Sequence, residues 1–257
     1  MSQPRIAMIL YTVREPARED LDDTLRRVRE CGFKYVQWSG MPNMPADKIR
    51  AALEKADLEA VAAHISVEEF ENHFDESVAF WETVGVRNIG PGGMMQGCWE
   101  SHDMWLEGAK RLETLGAKLR DAGIRLSYHN HAAEFEKFEG DNLTKLDLLY
   151  QNTRPDCLHA ELDVAWIHVG GADPAAYLRK YKDRCPLIHV KDVEAERDAN
   201  GNLRWMPLGQ GVIDWPEVLE AGRQANVEWM IYEQDTYEGD LWDCVRASYK
   251  FMKKHLG

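Results

Sequence analysis

Four short segments in the C-terminal half of the chain carry metal-binding side chains directly after an apolar or β-branched run. His, Asp and Glu are the usual protein ligands of a borderline divalent cation. Since each segment ends a predicted strand, we expect the four strand ends to converge on one ion. The segments are Tyr128-His129-Asn130-His131, Glu161-Leu162-Asp163, His189-Val190-Lys191-Asp192 and Tyr232-Glu233-Gln234-Asp235.

The spacing within these segments places their reactive groups on common faces. Side chains two positions apart on a strand point the same way. The four segments end consecutive predicted strands, the fifth to the eighth, so they form a contiguous arc. The pairs are His129 with His131, Glu161 with Asp163, His189 with Lys191, and Glu233 with Asp235.

The elements that must position this arc alternate between strand-like runs and helical stripes. Glycines 32, 85 and 123 end helices just before a new strand. Eight strand–helix units without a Pro- or Ser-rich linker predict an α/β fold, a single (β/α)8 barrel domain over residues 1–257. An open doubly wound sheet would need a glycine-rich fingerprint after the first strand, and residues 11–14 contain none. The predicted strands are 6–11, 35–38, 58–65, 86–89, 125–131, 158–164, 186–190 and 229–233, with helices over about 46–56, 67–83 and 104–121.

Asp163, His189 and Glu233 are the core candidate metal ligands. An unpaired carboxylate at an apolar strand end is costly, and a cation there offsets the cost. A helix cap is the alternative role for Asp163, and the apolar residues that follow it argue against an immediate helix. Glu134 is the favoured fourth ligand, because a set of two carboxylates and one His needs one more anion to hold Mn²⁺, Co²⁺ or Mg²⁺ well. His129 is the alternative fourth ligand.

The remaining candidates are expected to face the substrate. Lys191 would anchor the substrate or act as an electrophile, with a structural ion pair to Asp192 or Glu161 as the alternative. Core packing is the alternative for His64 and Tyr11. The candidate catalytic residues are Glu134, Glu233, His131 and Lys191, and the candidate substrate-binding residues are His129, His64, Tyr11, Trp38, Trp166 and Asp235.

Composition narrows the class of protein. The net charge of −13 argues against binding to a nucleic-acid backbone. Five separated cysteines without a C-x-x-C pair favour reduced thiols over a disulfide framework. The N-terminus has no signal-like region, and no apolar run reaches membrane-spanning length. We therefore expect a cytoplasmic protein without a membrane or nucleic-acid partner, either a monomer or a homo-oligomer.

These motifs, together with Leu10-Tyr11-Thr12-Val13-Arg14 and Glu134-Phe135, resemble those of the xylose isomerase-like barrel superfamily. Its sugar phosphate isomerase/epimerase group also includes inosose dehydratases and endonuclease IV-type repair enzymes. The resemblance implies one divalent metal ion (Mn, Co, Mg or Zn) held by Glu, Asp, His and Glu from strands five to eight. Asp163, His189 and Glu233 match that pattern, whereas His129 stands where the first Glu is usual.

The expected reaction is metal-assisted proton transfer on a keto-sugar or keto-cyclitol. A cation polarises the carbonyl so that the adjacent C–H becomes acidic, and Glu134, Glu233 or His131 takes the proton. Lys191 would stabilise the enediolate. Isomerisation, epimerisation and dehydration of a keto-inositol or 3-keto-glycoside all begin with this step. Cleavage of damaged DNA and metal-free sugar binding are the rival functions, disfavoured by the acidity and by the ligand set.

Overall fold

Eight parallel strands close into a barrel in the computed structural model, which describes residues 3–256. Each barrel strand pairs with its two neighbours around the ring. The ring is closed because the first strand pairs with both the second and the last barrel strand in chain order. A short antiparallel hairpin, β8 and β9, follows the seventh barrel strand, so the eighth barrel strand is β10. The strands are β1 Arg5–Ile9, β2 Tyr35–Ser39, β3 Glu59–His64, β4 Asn88–Gly90, β5 Arg125–His129, β6 His159–Asp163, β7 Leu187–Val190, β8 Asp192–Val193, β9 Trp205–Met206 and β10 Trp229–Tyr232.

Helices connect the strands on the outside of the barrel, as a (β/α)8 fold requires. Short 3₁₀ helices cover Leu10–Val13 and Ala133–Phe135. No helix in residues 3–256 is both long and apolar enough to cross a membrane. The α-helices are α1 Arg14–Glu19, α2 Leu21–Cys31, α3 Ala46–Lys55, α4 Val67–Asn72, α5 Phe74–Val84, α6 His102–Asp121, α7 Lys145–Gln151, α8 Val164–Val169, α9 Pro174–Lys180, α10 Trp215–Gln224 and α11 Leu241–Leu256.

The predicted barrel is confirmed, and the differences lie at the element ends. The helix expected over 67–83 is two helices separated at His73. The first strand ends at Ile9, and Tyr11 lies in the 3₁₀ helix that follows. The sixth strand ends at Asp163, because this side chain caps a helix that starts at once with Val164. The apolar residues that follow Asp163 therefore belong to a helix and not to the predicted strand.

Strand alternation separates two apolar layers. A small cluster, including Ile9, Leu187 and Trp229, fills the lower barrel interior. A much larger cluster lies between the strands and the helices. Val36 and Trp38 belong to that outer layer, whereas Gln37, between them, points inward to Glu161. Trp38 was expected at the substrate site, and the alternation turns it away from the mouth.

A buried carboxylate holds the loop before α10. Asp192 is fully buried, and its Oδ2 accepts hydrogen bonds from the Gly209 and Gly211 amides and from Trp215 Nε1 at 2.8–3.1 Å. A Cβ at Gly211 would lie 2.2 Å from Asp192 Oδ1, so only glycine allows this close approach. These hydrogen bonds therefore link the loop to the chain segment that contains His189 and Lys191.

We expect Asp192→Asn to destabilise the fold. The amide would turn a donor toward groups that already donate, leaving buried N–H groups unpaired at about 1–3 kcal/mol each. Chemical denaturation would measure the free energy of unfolding, with Asp198→Asn as the control. Asp198 also accepts backbone amides but in an exposed turn. Equal stability of the two variants would contradict this role for Asp192.

Candidate metal centre

A cleft of about 680 Å³ opens at the carboxyl ends of the barrel strands. One side is formed by the segments after β5 and β10, including His131, Glu233 and Asp235. The opposite side is formed by loops after β2, β3 and β4, including the 91–96 segment. The cleft thus lies where barrel enzymes place their active sites.

Four buried ligand-type side chains meet at the base of this cleft. One donor atom from each of His129, Asp163, His189 and Glu233 lies within 4.8 Å of the others. His129 and Asp163 are the last residues of β5 and β6, His189 is the penultimate residue of β7, and Glu233 directly follows β10. The structure therefore brings together three of the four predicted ligands and adds His129, the alternative fourth ligand.

The donor set fits a divalent cation. Asp163 Oδ1 accepts the Trp166 amide at 2.9 Å, but its buried Oδ2 has no hydrogen-bond partner within residues 3–256. Buried His129 Nδ1 also lacks one. Burial raises the pKa of Asp163 to about 6. Unsatisfied buried polar atoms are costly, and two nitrogen and two oxygen ligands suit a borderline metal.

His189 and Glu233 are in direct contact. His189 Nδ1 lies 2.6 Å from Glu233 Oε2. Burial disfavours a charge on this imidazole, but the carboxylates of Glu233 and Glu161 outweigh it and raise the pKa of His189 to about 10. In Glu233 burial opposes ionisation, and Lys191 and His189 outweigh it, so the pKa lies well below its usual value. Opposite charges are therefore paired at this point of the site.

Glu134 is placed outside this group. Its Oε1 accepts the Tyr128 hydroxyl at 2.8 Å, and its Oε2 accepts the His131 amide at 3.0 Å. Burial raises the pKa of its carboxyl. Glu134 lies in the 3₁₀ helix after β5, and its two hydrogen bonds stabilise this turn. The structure therefore does not bring Glu134 to the predicted ligand or base position.

A second buried network surrounds Glu161. Its Oε1 accepts Gln37 Nε2 at 2.7 Å and contacts His64 Nε2 at 3.1 Å and His189 Nε2 at 2.8 Å. Sequence reasoning missed Gln37 and treated Glu161 as the neighbour of Asp163 and as an alternative ion-pair partner of Lys191. The available signal was a polar residue inside the apolar run Tyr35–Ser39, at the alternate position that faces the barrel interior.

Lys191 is buried among three carboxylates. Its Nζ lies 2.9 Å from Asp235 Oδ1, 3.3 Å from Glu233 Oε2 and 3.6 Å from Asp163 Oδ2. Within residues 3–256 these are its acidic partners, not the Asp192 or Glu161 alternatives. Burial opposes its charge, but the carboxylates outweigh it and raise the pKa of Lys191. The ring of Trp166 lies 5.4 Å from the ammonium.

The other predicted substrate-facing residues line the cleft: His64, His131, Trp166, Asp235 and Tyr11. Burial lowers the pKa of His131 to about 4, so its ring is neutral at physiological pH. The ring centroid of His131 lies 5.3 Å from that of Trp166. Tyr11 is 38% exposed, and its ring packs under the Arg14 guanidinium at the rim.

With barrel and site described, the comparisons with known proteins define the family. The chain belongs to the xylose isomerase-like TIM barrel family, whose model matches residues 25–255. A sugar phosphate isomerase/epimerase from Parabacteroides distasonis has the same fold, with a TM-score of 0.83 at 19% identity, covering 100% of this chain and 96% of that one.

Two curated relatives are inosose dehydratases. The enzyme of Clostridium perfringens is 26% identical over 233 residues, which cover 82% of this chain and 77% of that enzyme. The enzyme of Lacticaseibacillus casei is 27% identical over 165 residues, 58% of this chain. That match spans about half of the L. casei enzyme, 54% of its length.

We expect Asp163→Asn and His129→Asn each to weaken Mn²⁺ binding, measured by calorimetric titration. Asn preserves the helix cap at position 163, so the first variant tests the second carboxylate oxygen, Oδ2, which has no hydrogen-bond partner in the described part of the chain. The loss should exceed the roughly 10–100-fold typical of residues that only support a ligand. Glu134→Gln should bind nearly as the wild type. Loss of binding in Glu134→Gln with retention in His129→Asn would restore Glu134 as the fourth ligand.

Proposed function

We propose that this chain is a divalent-metal-dependent enzyme that abstracts a proton next to the carbonyl of a keto-sugar or keto-cyclitol, with isomerisation or epimerisation as the outcome. The observation that carries the proposal is the buried set of His129, Asp163, His189 and Glu233 at the base of the cleft. These four residues would hold the ion. When bound, the ion supplies polarisation of the carbonyl and makes the neighbouring C–H acidic.

His131 is the proposed base. It lines the cleft and lies outside the four-residue set, so its imidazole remains available to the substrate. Burial lowers its pKa, so near pH 7 the ring is neutral and one ring nitrogen keeps a lone pair that can take a proton, although with less basicity than a free imidazole. The bond from its amide to Glu134 fixes the backbone that presents the ring. Glu134 and Glu233, the other predicted bases, are engaged elsewhere in this arrangement.

Lys191 is proposed to stabilise the negative charge that develops on the substrate. Its ammonium group is held in place by Asp235 and Glu233 before any substrate binds. A preorganised cation in a buried site stabilises an enediolate more strongly than a solvated one. Trp166 forms an apolar wall beside both His131 and Lys191, against which a sugar ring can lie.

Dehydration is the second candidate outcome, because the curated relatives are inosose dehydratases. Loss of a β-hydroxyl requires a group that protonates the departing oxygen. Asp235 lines the cleft beside Lys191, and burial raises the pKa of its carboxyl, so this residue is the candidate for that role. The same proton abstraction by His131 would then lead to elimination of water.

The direct test is incubation of the metal-loaded protein with keto-sugars and a keto-inositol in deuterated water. We expect deuterium to enter the substrate at the carbon next to the carbonyl, because both outcomes begin with removal of that proton. Product analysis by NMR and mass spectrometry separates the two outcomes. An epimer or isomer differs in mass from the substrate only by the incorporated deuterium, whereas a dehydration product has lost water. Absence of exchange and turnover across this set, with metal bound, would contradict the proposed function.

His131→Asn should reduce turnover by about 10²–10⁴-fold, the usual contribution of a general base. Metal content should remain unchanged, because His131 lies outside the ligand set. The comparison pairs steady-state kcat with metal analysis of the same sample. Full activity of the variant would exclude His131 as the base.

A further inference from the structure

His189 is held on both edges of its imidazole ring by buried groups. Nδ1 faces Glu233, while Nε2 lies 2.7 Å from Gln37 Oε1 and 2.8 Å from Glu161 Oε1. We infer that Gln37 and Glu161 are positioning residues that accept the Nε2 proton of His189 and thereby leave Nδ1 as the nitrogen that ligates the cation. This inference rests on the proposed metal site and assigns a role to two residues outside its ligand set.

The donor and acceptor pattern places a proton on Nε2 of His189, whereas the proton on Nδ1 faces the Glu233 carboxylate and is the one that a cation would displace. Gln37 Nε2 donates to Glu161 Oε1 at 2.7 Å, which orients the amide so that its Oε1 faces His189. An amide oxygen can only accept. Glu161 Oε1 already accepts the Gln37 N–H and faces Nε2 of His189 as a second acceptor. Nε2 must therefore carry the proton, and which nitrogen ligates is set by the bond the other nitrogen makes.

The burial of this network is difficult to explain as packing alone. Gln37 and Glu161 are 0% and 1% exposed in a barrel whose lower interior is apolar. Buried carboxylates cost several kcal/mol unless they are fully paired. An apolar pair at these positions would fill the barrel, but it would leave His189 free to rotate and to change tautomer.

His64 completes the support from a third strand. Its Nε2 lies 3.1 Å from Glu161 Oε1, and its ring stacks on that of His189 with centroids 5.2 Å apart and planes 14° apart. Strands β2, β3 and β6 therefore all contribute to the orientation of one side chain on β7. A carboxylate that bonds the far nitrogen of a ligating histidine raises its basicity and fixes its ring.

A second cation is the rival explanation, because His64, His129, Glu161 and His189 also offer donor atoms within 4.8 Å of one another. The contacts of Glu161 Oε1 favour the positioning role. Three nitrogen atoms lie 2.7–3.1 Å from that single oxygen, which are hydrogen-bond separations. The amide of Gln37 is one of these three groups, and its nitrogen is not a metal ligand.

The test compares Mn²⁺ binding by the wild type, Glu161→Gln, Gln37→Met and Asp147→Asn. Asp147 is a matched control, a carboxylate 6% exposed that pairs with Lys180 and Tyr181 away from the cleft. Calorimetry gives affinity and stoichiometry, circular dichroism checks folding, and ¹⁵N NMR of the histidines reports which ring nitrogen is protonated. Gln37→Met keeps the test available if Glu161→Gln does not fold.

We expect one Mn²⁺ per wild-type chain, and an affinity about 10–100-fold lower in Glu161→Gln. Gln37→Met should weaken binding in the same direction, and Asp147→Asn should bind as the wild type. The Nε2–H signal of His189 should be present in the metal-free wild type and lost or averaged in Glu161→Gln. Unchanged affinity in both site variants would overturn the positioning role while leaving the proposed function intact.

Two ions in the wild type, with one lost in Glu161→Gln, would overturn the inference by making Glu161 a ligand. A wild type that binds no divalent ion would overturn both the metal site and the role assigned to its support. A wild type that binds one ion, with the expected losses in the variants, but turns over no keto-sugar would contradict only the proposed reaction.

Discussion

The burial of charge at one end of a closed barrel constrains the rest of this structure. Asp163, Glu161 and Glu233 are almost inaccessible to solvent, as are His189 and Lys191. Isolated charges in such a place would cost several kcal/mol each, so they persist only when opposite charges and hydrogen-bond donors lie within reach. The arrangement of the strands satisfies this condition, since β7, with its cations His189 and Lys191 at or just after its end, lies between β6 and β10, whose ends supply the carboxylates.

Strand register determines which of these groups meet. His129 on β5 lies opposite Glu161 on β6, and Asp163 on β6 lies opposite His189 on β7. A one-residue slip would turn each inward side chain outward into the apolar layer. The parallel pairing that builds the barrel therefore also sets the geometry of the candidate site. The Asp192 carboxylate adds a second constraint, because it ties the loop before α10 to the strand end that carries Lys191.

The sequence predicted the barrel because hydrophobic periodicity reports burial directly. It also predicted that Asp163, His189 and Glu233 converge, since strand ends of a barrel share one face. Their role as ligands remains a prediction. The fourth position was harder, because Glu134 and His129 lie five residues apart and only the conformation of the turn decides between them. In the structure that turn directs Glu134 toward Tyr128 and away from the donor set.

Other features depend on contacts that no local pattern reveals. Asp163 caps a helix through one oxygen and leaves the other without a hydrogen-bond partner among the described residues, so the cap does not exclude the predicted ligand role. Gln37 bonds to residues 124 and 152 positions away, a separation that a single sequence cannot resolve. Trp38 lies outside the predicted substrate site because the alternation of β2 turns Gln37, and not its neighbour, toward the barrel interior.

The central claim is that one divalent ion binds among the residues that end β5, β6, β7 and β10. Anomalous diffraction from crystals soaked in Mn²⁺ tests it most directly. The account predicts one strong peak within coordination distance of donor atoms of His129, Asp163, His189 and Glu233. A peak elsewhere in the barrel, or none with Lys191 still bridging Asp163 and Glu233, would contradict it.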